Sequence, residues 1–162
     1  MTRFKTALSP ADLPSRDEML SISGLEFMQM MLRGEIARPP ISEGLNYHPH
    51  LVEEGRVVFR GTPEFRHTNP MGTVHGGWYG TLLDSCMACA VMTRVPKGAA
   101  YTTLEYKINI LRPIPPGTEI EADGRVAHAG RSTGVASGEI RGVADGRLYA
   151  TGTTTCLILQ MR

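Results

Sequence analysis

The feature that most constrains this chain is an apolar run from residue 69 to residue 93, in which Asp84 is the only charged side chain. The run begins with prolines and glycines and passes through His75-Gly76-Gly77. It then has the composition of a helix that is buried on every side. Such a helix needs covering surface all around it, so the rest of the chain must supply that surface.

Asp84 stands out within this helix. Removing an unpaired carboxylate from water costs roughly several kcal/mol, so a buried one is normally paired, protonated or used in chemistry. A purely structural carboxylate, bonded to a nearby backbone group or hydroxyl, is the alternative.

The spacing between Gly76 and Asp84 limits what one chain can do. Eight residues of α-helix rise roughly 12 Å. The free N–H groups at a helix start can stabilise an oxyanion, but Asp84 of the same chain cannot reach a carbonyl held there. Either the two features are unrelated or a second copy supplies the carboxylate, which predicts a dimer.

Length and charge exclude several classes. The 162 residues predict one domain, residues 41–162, with an N-terminal arm and helix, residues 1–40, packed on it. A net charge of +1 without a basic patch argues against nucleic acid. We expect neither a secretory signal nor a membrane-spanning stretch, and we predict that the three cysteines are reduced thiols. The sequence therefore predicts a cytoplasmic protein that does not bind membranes.

Two groups of metal-ligand residue types need an interpretation. Cys86 and Cys89 form a CxxC pair, and His48 and His50 are two residues apart. A zinc or redox site needs further ligands at suitable spacing, and the third cysteine, Cys156, is far away in sequence. We therefore expect no metal site and interpret the CxxC cysteines as small residues packed within a helix.

The flanking segments predict an α+β protein. An irregular arm over residues 1–15 is followed by an amphipathic helix from Ser15 or Asp17 to the Arg38-Pro39-Pro40 segment. Residues 41–62 predict two strands joined by a turn at Glu54-Gly55, and a loop precedes the apolar run. Four further strands are predicted at residues 101–111, 118–128, 133–143 and from residue 148, the last after a turn at Asp145-Gly146.

Side-chain alternation refines this sheet. In the first of the four strands it places Leu104, Tyr106, Ile108 and Ile110 on one face and Thr103 on the other. In the third strand it places Gly134, Ala136, Gly138, Ile140 and Gly142 on one face, where small residues allow close approach. The fold that satisfies both patterns is a curved antiparallel sheet wrapped around one long central helix, with an extra N-terminal helix.

The motifs on this scaffold resemble those of the hot-dog fold acyl-CoA thioesterases of the PaaI-like, phenylacetate-degradation type. The matching residues are Asn69-Pro70-x-Gly72-x-x-His75-Gly76-Gly77, Leu82-Leu83-Asp84, Thr102-Thr103, Leu111-Arg112-Pro113, Gly130-Arg131-Ser132 and Asp145-Gly146-Arg147. The resemblance spans residues 22–160 and implies hydrolysis of an aromatic or medium-chain acyl-CoA to free CoA and a carboxylic acid. It implies no cofactor beyond the CoA of the substrate.

The resemblance also implies how the site is built. The protein would form a homodimer or a dimer of dimers, with sites between subunits. The Gly76 N–H would polarise the thioester carbonyl, with Asn69 and His75 beside it, and Asp84 from the other subunit would act as general base or nucleophile. Thr103, or alternatively Thr102, would orient the water.

The resemblance also implies which residues bind CoA. The resemblance assigns the phosphates and adenine end of CoA to Arg112, Gly130, Arg131 and Ser132. Without it, the two arginines would be ordinary solvated charges. Trp78, Tyr79, Met87 and the methionine-rich early helix are candidates for an acyl pocket, and they are equally suited to core packing.

Elementary chemistry supports the same reading. Burial should raise the pKa of Asp84 and make it a better base. His75 is an alternative base, although just before a helix start we expect it to donate or to cap. A turn former before Pro70 is the alternative role of Asn69. Two other functions stay open: an enoyl-CoA hydratase or dehydratase on the same scaffold, and a non-catalytic acyl-CoA-binding module.

Overall fold

The structure, a computed structural model, describes residues 4–161, so residues 1–3 of the predicted arm and residue 162 lie outside it. The helices are α1 (Arg16–Leu20), α2 (Gly24–Arg33), α3 (Pro40–Gly44) and α4 (Gly76–Met92). The strands are β1 (Tyr47–Glu53), β2 (Arg56–Gly61), β3 (Ala99–Ile110), β4 (Ile120–Ala129), β5 (Thr133–Gly142) and β6 (Leu148–Gln160). Two 3-10 turns, Pro10–Asp12 and Phe65–His67, complete the set.

The six strands form one antiparallel sheet in the order β1-β2-β4-β5-β6-β3. Helix α4 packs against β2, β3, β4, β5 and β6, so the curved sheet surrounds it. This is the predicted hot-dog architecture, and it leaves β1 and β3 as the two edges of the sheet.

The core is built around α4 because that helix is apolar on all sides. Leu82, Leu83, Cys86 and Met87 are fully buried against the sheet. Burial of a leucine or methionine side chain stabilises the fold by about 1.5–3 kcal/mol, so this one helix contributes much of the driving force.

The small residues of β5 permit this packing, as their pattern predicts. A Cβ atom on Gly138 would lie 2.8 Å from Met87 Cγ, and one on Gly134 would lie 2.4 Å from Val91 Cγ1. Both distances are shorter than real Cβ contacts, so only glycine lets β5 approach the helix this closely.

The prediction of one N-terminal helix running to Arg38 was wrong. The chain forms two helices, because Ser15 caps α1 and Ser23 caps α2 by accepting a hydrogen bond from the Glu26 N–H. Helix α2 ends at Gly34, whose φ of 78° suits glycine. The predicted strand start at residue 41 was also wrong, since α3 occupies that segment.

The N-terminal region packs on the sheet and the central helix. Helix α2 contacts β1 and α4 and buries Phe27 and Met28. Thr6 forms a parallel bridge with Arg38. The division of the chain at residue 40 stays a prediction. Within residues 4–161, no helix combines the length and apolar character needed to cross a membrane.

A β-bulge in β3 changes the predicted alternation. The pairing with β6 shifts register between Thr103 and Glu105, so Leu104 is an extra residue. Thr103 therefore faces α4, on the same side as Tyr106 and Ile108, and Leu104 does not. The prediction that Thr103 lies on the opposite face from Tyr106 was wrong because periodicity alone cannot detect an inserted residue.

Candidate active site

Asp84 lies in the middle of α4 with its carboxylate turned toward β3. Its side chain is half-buried, and the Thr103 hydroxyl donates a hydrogen bond to Oδ1 at 3.0 Å. Burial raises the pKa of Asp84, and the hydrogen bond from Thr103 lowers it to a smaller extent. A carboxylate with a raised pKa holds a proton more strongly than an ordinary aspartate, which suits a general base.

The bulge in β3 decides which threonine reaches Asp84. Because of the extra residue, Thr103 points at α4, whereas Thr102 is exposed. Bulges next to active sites commonly redirect a side chain in this way. Of the two candidate hydroxyls, only Thr103 contacts Asp84, and its role in orienting a water stays a prediction.

The start of α4 presents an unused donor. His75 is the N-cap residue, and its Nδ1 accepts a hydrogen bond from the Gly77 N–H at 2.9 Å. The Trp78 N–H donates to the His75 carbonyl at 2.9 Å. Among the hydrogen bonds of residues 4–161, none uses the Gly76 N–H, which leaves it free to bind an oxyanion.

The cap fixes the chemistry of the His75 ring. Because Nδ1 accepts from the Gly77 N–H, the proton of the neutral imidazole is on Nε2. His75 can therefore donate from Nε2, but it has no free acceptor nitrogen in this arrangement. We expected it to donate or to cap, and the structure places it as a cap.

Asn69 shapes the loop before the helix. Its Oδ1 accepts from the N–H groups of Met71, at 3.0 Å, and Thr73, at 3.3 Å, and its Nδ2 donates to the Thr73 hydroxyl at 2.8 Å. The side chain thus makes the turn predicted as an alternative role. Whether it also contacts a substrate carbonyl stays a prediction.

A second histidine, which the sequence did not identify, anchors this loop. His67 is buried, and its Nδ1 accepts from the Glu64 N–H at 2.9 Å. Its Nε2 lies 2.9 Å from the Gly44 carbonyl, and its own carbonyl accepts from the His75 N–H at 2.9 Å. No motif indicated this role, because the partners come from distant segments.

The two halves of the candidate site are separated along β3 in one chain. Ile110 lies close to Gly76, whereas Thr103 is bonded to Asp84, so α4 and β3 run in opposite directions. Gly76 and Asp84 remain about two turns of helix apart. A single chain therefore does not bring its carboxylate to its own helix start.

The predicted CoA-binding residues are divided in the same way. Arg112 follows β3 near the helix start, and its guanidinium donates to the Leu148 carbonyl at 2.6 Å. Gly130, Arg131 and Ser132 form the exposed turn between β4 and β5, closed by a hydrogen bond from the Gly130 N–H to the Thr133 carbonyl at 2.8 Å. One chain does not bring the four residues together.

Comparisons with known proteins identify the family. The model of the thioesterase superfamily matches residues 71–150. Human acyl-coenzyme A thioesterase 13 is 30% identical over 101 residues, which cover 62% of this chain and 71% of that protein. The chain belongs to the thioesterase superfamily. It is therefore a thioester hydrolase of the PaaI-like, hot-dog type.

Solved structures of similar proteins agree with this assignment. A thioesterase family protein from Silicibacter pomeroyi superposes with a TM-score of 0.73 and 28% identity, covering 82% of this chain and 98% of that one. A variant of the phenylacetic acid degradation protein PaaI from Thermus thermophilus gives 0.67 and 29%, covering 73% and 97%. The superfamily match includes α4 and β3 but not α1 and α2.

Three candidate acyl-pocket residues of this thioesterase belong to the core instead. Trp78, Tyr79 and Met87 are fully buried, and the Trp78 indole donates to the Leu45 carbonyl at 2.9 Å. The Tyr79 hydroxyl accepts from the Ile114 N–H at 2.7 Å and lies 3.4 Å from the Arg112 carbonyl. Tyr79 thereby fixes the backbone of the segment that carries Arg112.

The cysteines of this thioesterase lie inside the domain. Cys86 is fully buried and its thiol donates to the Leu83 carbonyl at 3.3 Å. Burial raises the pKa of Cys89 to about 12, so that thiol stays protonated near neutral pH.

The two histidines of β1, His48 and His50, contact different residues. The His48 ring lies 5.2 Å from the ring of Phe4, and His50 Nε2 lies 3.8 Å from a Glu121 carboxylate oxygen. In the part of the chain that the structure describes, no three His, Cys, Asp or Glu side chains form a group that could hold a metal ion.

Proposed function

We propose that this thioesterase is a cytoplasmic enzyme that hydrolyses acyl-CoA thioesters with an aromatic or medium-chain acyl group, releasing free CoA and a carboxylic acid. The observation that carries the proposal is that α4 has both a half-buried carboxylate, at Asp84, and a free N–H, at Gly76. These are a base and an oxyanion donor, the two groups that thioester hydrolysis requires. The name of the human relative, acyl-coenzyme A thioesterase 13, supports CoA as the thiol.

The proposal requires a second subunit, and β3 offers the surface for it. β3 is an edge strand of twelve residues with several exposed apolar side chains, among them Leu104 (57% exposed), Tyr106 (47%) and Ile110 (46%). A long, apolar, unpaired edge is a template for pairing with another chain. In this proposal it pairs with β3 of a second copy, giving a homodimer, alone or as half of a dimer of dimers.

The register of that pairing follows from the two halves of the site. If the two β3 strands pair antiparallel about a two-fold axis at Lys107, with the bulged Leu104 left out of the ladder, Thr103 lies opposite Ile110 of the partner subunit. Ile110 is close to Gly76 and Thr103 is bonded to Asp84. The pairing therefore places Asp84 of one subunit beside the helix start of the other.

The same pairing brings the two CoA-binding segments to one end of the sheet. Ser132 lies beside β6, where the Ile158 N–H donates to its carbonyl at 2.8 Å, and Leu157 of β6 pairs with Thr102 at the beginning of β3. Arg112 follows the end of β3. Antiparallel pairing places the beginning of one β3 beside the end of the other, so Arg131 of one subunit and Arg112 of the other can bind the phosphates of one CoA.

The reaction then follows from the groups present. The Asp84 carboxylate takes a proton from a water that the Thr103 hydroxyl helps to hold, and the resulting hydroxide attacks the thioester carbonyl. The Gly76 N–H stabilises the oxyanion, and collapse of the tetrahedral intermediate breaks the carbon–sulfur bond and releases CoA thiolate, which takes up a proton. Alternatively, Asp84 attacks the carbonyl directly and water hydrolyses the resulting anhydride. Neither route needs a cofactor.

Thiol release from acyl-CoA tests the proposal. The purified protein should liberate free CoA from acyl-CoA esters, followed with a thiol reagent, and hydration of an enoyl-CoA is assayed in parallel. Hydration without thiol release would favour a hydratase on the same scaffold. Tight binding of acyl-CoA with neither reaction would show a binding module instead.

A further inference from the structure

Two side chains tie the start of α4 to the turn that ends α3. The Trp78 indole N–H donates to the Leu45 carbonyl at 2.9 Å. The Nδ1 atom of His67 accepts from the Glu64 N–H, so the ring proton is on Nε2. That nitrogen therefore donates to the Gly44 carbonyl, 2.9 Å away. Two neighbouring carbonyls of one turn thus bind one side chain from before the helix start and one from within its first turn.

The turn that binds these side chains is itself fixed. Within residues 4–161, Asn46 is the one non-glycine residue with a left-handed backbone, at a φ of 54°. Its Nδ2 donates to the Thr62 carbonyl and to a Glu64 carboxylate oxygen, both at 2.9 Å, and its carbonyl accepts from the Thr62 N–H at 3.1 Å. Such a backbone persists only where its surroundings hold it. The turn is therefore a fixed point for the groups that bind to it.

These contacts continue to the peptide that joins His75 to Gly76. The His67 carbonyl accepts from the His75 N–H at 2.9 Å, and the His75 carbonyl accepts from the Trp78 N–H at 2.9 Å. The His67 and Trp78 rings are both buried and stack with their centroids 6.5 Å apart. The peptide is therefore held from both sides, while the Gly76 N–H points away unpaired among the hydrogen bonds of the described residues.

We propose that His67 is a positioning residue that directs the Gly76 N–H at the oxyanion, by linking the start of α4 to the turn after α3. The inference rests on the proposed function, in which that N–H is the oxyanion donor. A donor stabilises the transition state only where the oxyanion forms, and its geometry must be held to within about 0.5 Å. Trp78 is the second support of the same peptide.

A purely structural role of His67 predicts different kinetics. Loss of a structural contact lowers the fraction of folded enzyme, but each folded molecule keeps its kcat. Loss of positioning lowers kcat in the folded enzyme and leaves KM unchanged, because the donor acts on the transition state and not on the bound substrate. Rates are therefore referred to folded protein in each experiment below.

A pair of amide variants is the first test. His67→Asn keeps an acceptor for the Glu64 N–H but is too short to reach the Gly44 carbonyl, whereas His67→Gln can reach it. Removing an oxyanion donor costs about 10²- to 10³-fold in kcat, so misdirecting it in His67→Asn should cost about tenfold, with KM within about twofold. His67→Gln should lose less than about threefold. Wild-type kcat in His67→Asn, or equal losses in the two variants, would overturn the inference.

A double-mutant cycle shows whether His67 acts through Gly76. Gly76→Pro removes the donor itself, at a helical position where proline is tolerated. Added to Gly76→Pro, His67→Asn should lower the residual kcat by less than about twofold, because two changes that act through one group are not additive. The same tenfold loss in both backgrounds would contradict the inference.

Thr93→Val is the matched control at the other end of α4. Thr93 is buried, and its hydroxyl accepts from the Gly55 N–H at 2.7 Å and donates to the Ala90 carbonyl at 2.6 Å. It thus ties the helix end to the turn between β1 and β2. Thr93→Val should lower the melting temperature and leave kcat within about twofold of wild type, since the bonds it breaks lie far from Gly76. A loss of kcat equal to that of His67→Asn would contradict a specific role for His67.

Hydrogen exchange separates this inference from the proposed function. The His75 N–H, followed by NMR, should exchange at least about tenfold faster in His67→Asn than in wild type, and at the wild-type rate in Thr93→Val. If that holds while the wild type releases no thiol from acyl-CoA, the proposed function fails and the link from His67 to the helix start stands. If the wild type hydrolyses acyl-CoA and Gly76→Pro lowers kcat, but His67→Asn changes neither kcat nor exchange, the inference fails alone.

Discussion

At the scale of single residues, Asp84 owes its properties to the helix that carries it. Burial in α4 raises the pKa of the carboxyl group, and the Thr103 hydroxyl bonds to the carboxylate. The sequence predicted Asp84, since a lone charge in an apolar helix is visible without a structure. It could not decide between Thr102 and Thr103, because that depends on the bulge at Leu104.

Asp84→Asn should lower the activity of the protein while raising its thermal stability near neutral pH. Loss of the base should lower kcat by about 10²- to 10⁴-fold, measured by thiol release. Because the folded-state pKa of Asp84 is raised, ionisation opposes folding above the ordinary aspartate pKa, and this penalty fades as the pH falls through the raised value. We therefore expect the variant to melt at a higher temperature than wild type near neutral pH, and the advantage to disappear in acid. Unchanged activity would remove Asp84 from the mechanism.

The pH profile of the wild-type enzyme reports the same group. The proposed mechanism requires the base form of Asp84, so kcat/KM should fall as the pH decreases through a pKa above that of an ordinary aspartate. Asp84→Asn should abolish this acidic limb in its residual activity. A limb that persists in the variant would assign the titration to another residue.

Thr103→Val tests the hydroxyl at nearly constant shape. It removes a hydrogen bond to a charged group, so kcat should fall by about 10- to 100-fold. The acidic limb of the pH profile should also move to higher pH, since Thr103 lowers the pKa of Asp84. Thr102→Val, at the exposed neighbouring position, is the matched control and should behave as wild type. The opposite ranking would restore Thr102 as the relevant hydroxyl.

At the scale of secondary structure elements, the sequence predicted the segments with a periodic side-chain pattern better than the irregular segments. The four strands after α4 and the turns at Gly55 and Gly146 follow from alternation and from glycines with φ of 78° and 65°. The break between α1 and α2 was not predicted. The Ser23 cap that begins α2 is local, but Gly24 also packs against the Met92 carbonyl, a contact between distant segments that periodicity does not show.

Gly138→Ala tests the close packing of β5 on α4. The new methyl would lie 2.8 Å from Met87 Cγ in a filled core, so we expect a loss of about 1–3 kcal/mol in the free energy of unfolding, measured by urea denaturation. Gly44→Ala is the control, since no atom lies within 4 Å of the added methyl. Equal stability of the two variants would show that the sheet moves away from the helix at little cost.

The exposed edge of β3 predicts how a surface substitution should change the oligomeric state. Tyr106→Asp would place two like charges next to each other across the proposed dimer axis, so the protein should become monomeric in light scattering and lose thiol release. Leu159→Asp, at an exposed apolar position near the end of β6, should leave both unchanged. An active monomeric Tyr106→Asp variant would contradict a site shared between subunits.

At the scale of the whole molecule, the candidate site is divided because Gly76 and Asp84 lie about two turns apart on α4. The free N–H is at the start of α4, close to the end of β3, whereas the carboxylate is at the middle of α4, beside Thr103 in the first half of β3. The sequence predicted this division because Asp84 lies eight positions after Gly76. It could not predict which edge a partner would use, because strand order depends on long-range pairing.

Complementation between two inactive variants tests the shared site most directly. Asp84→Asn removes the base, and Gly76→Pro removes the oxyanion donor at the first helical position, where proline is tolerated. In a mixed dimer one site carries both changes and the other carries neither. Since half of the dimers are mixed at equal expression and each has one intact site of two, co-expression should restore about a quarter of wild-type thiol release. A co-expressed mixture no more active than the two variants alone would contradict a site built from two subunits.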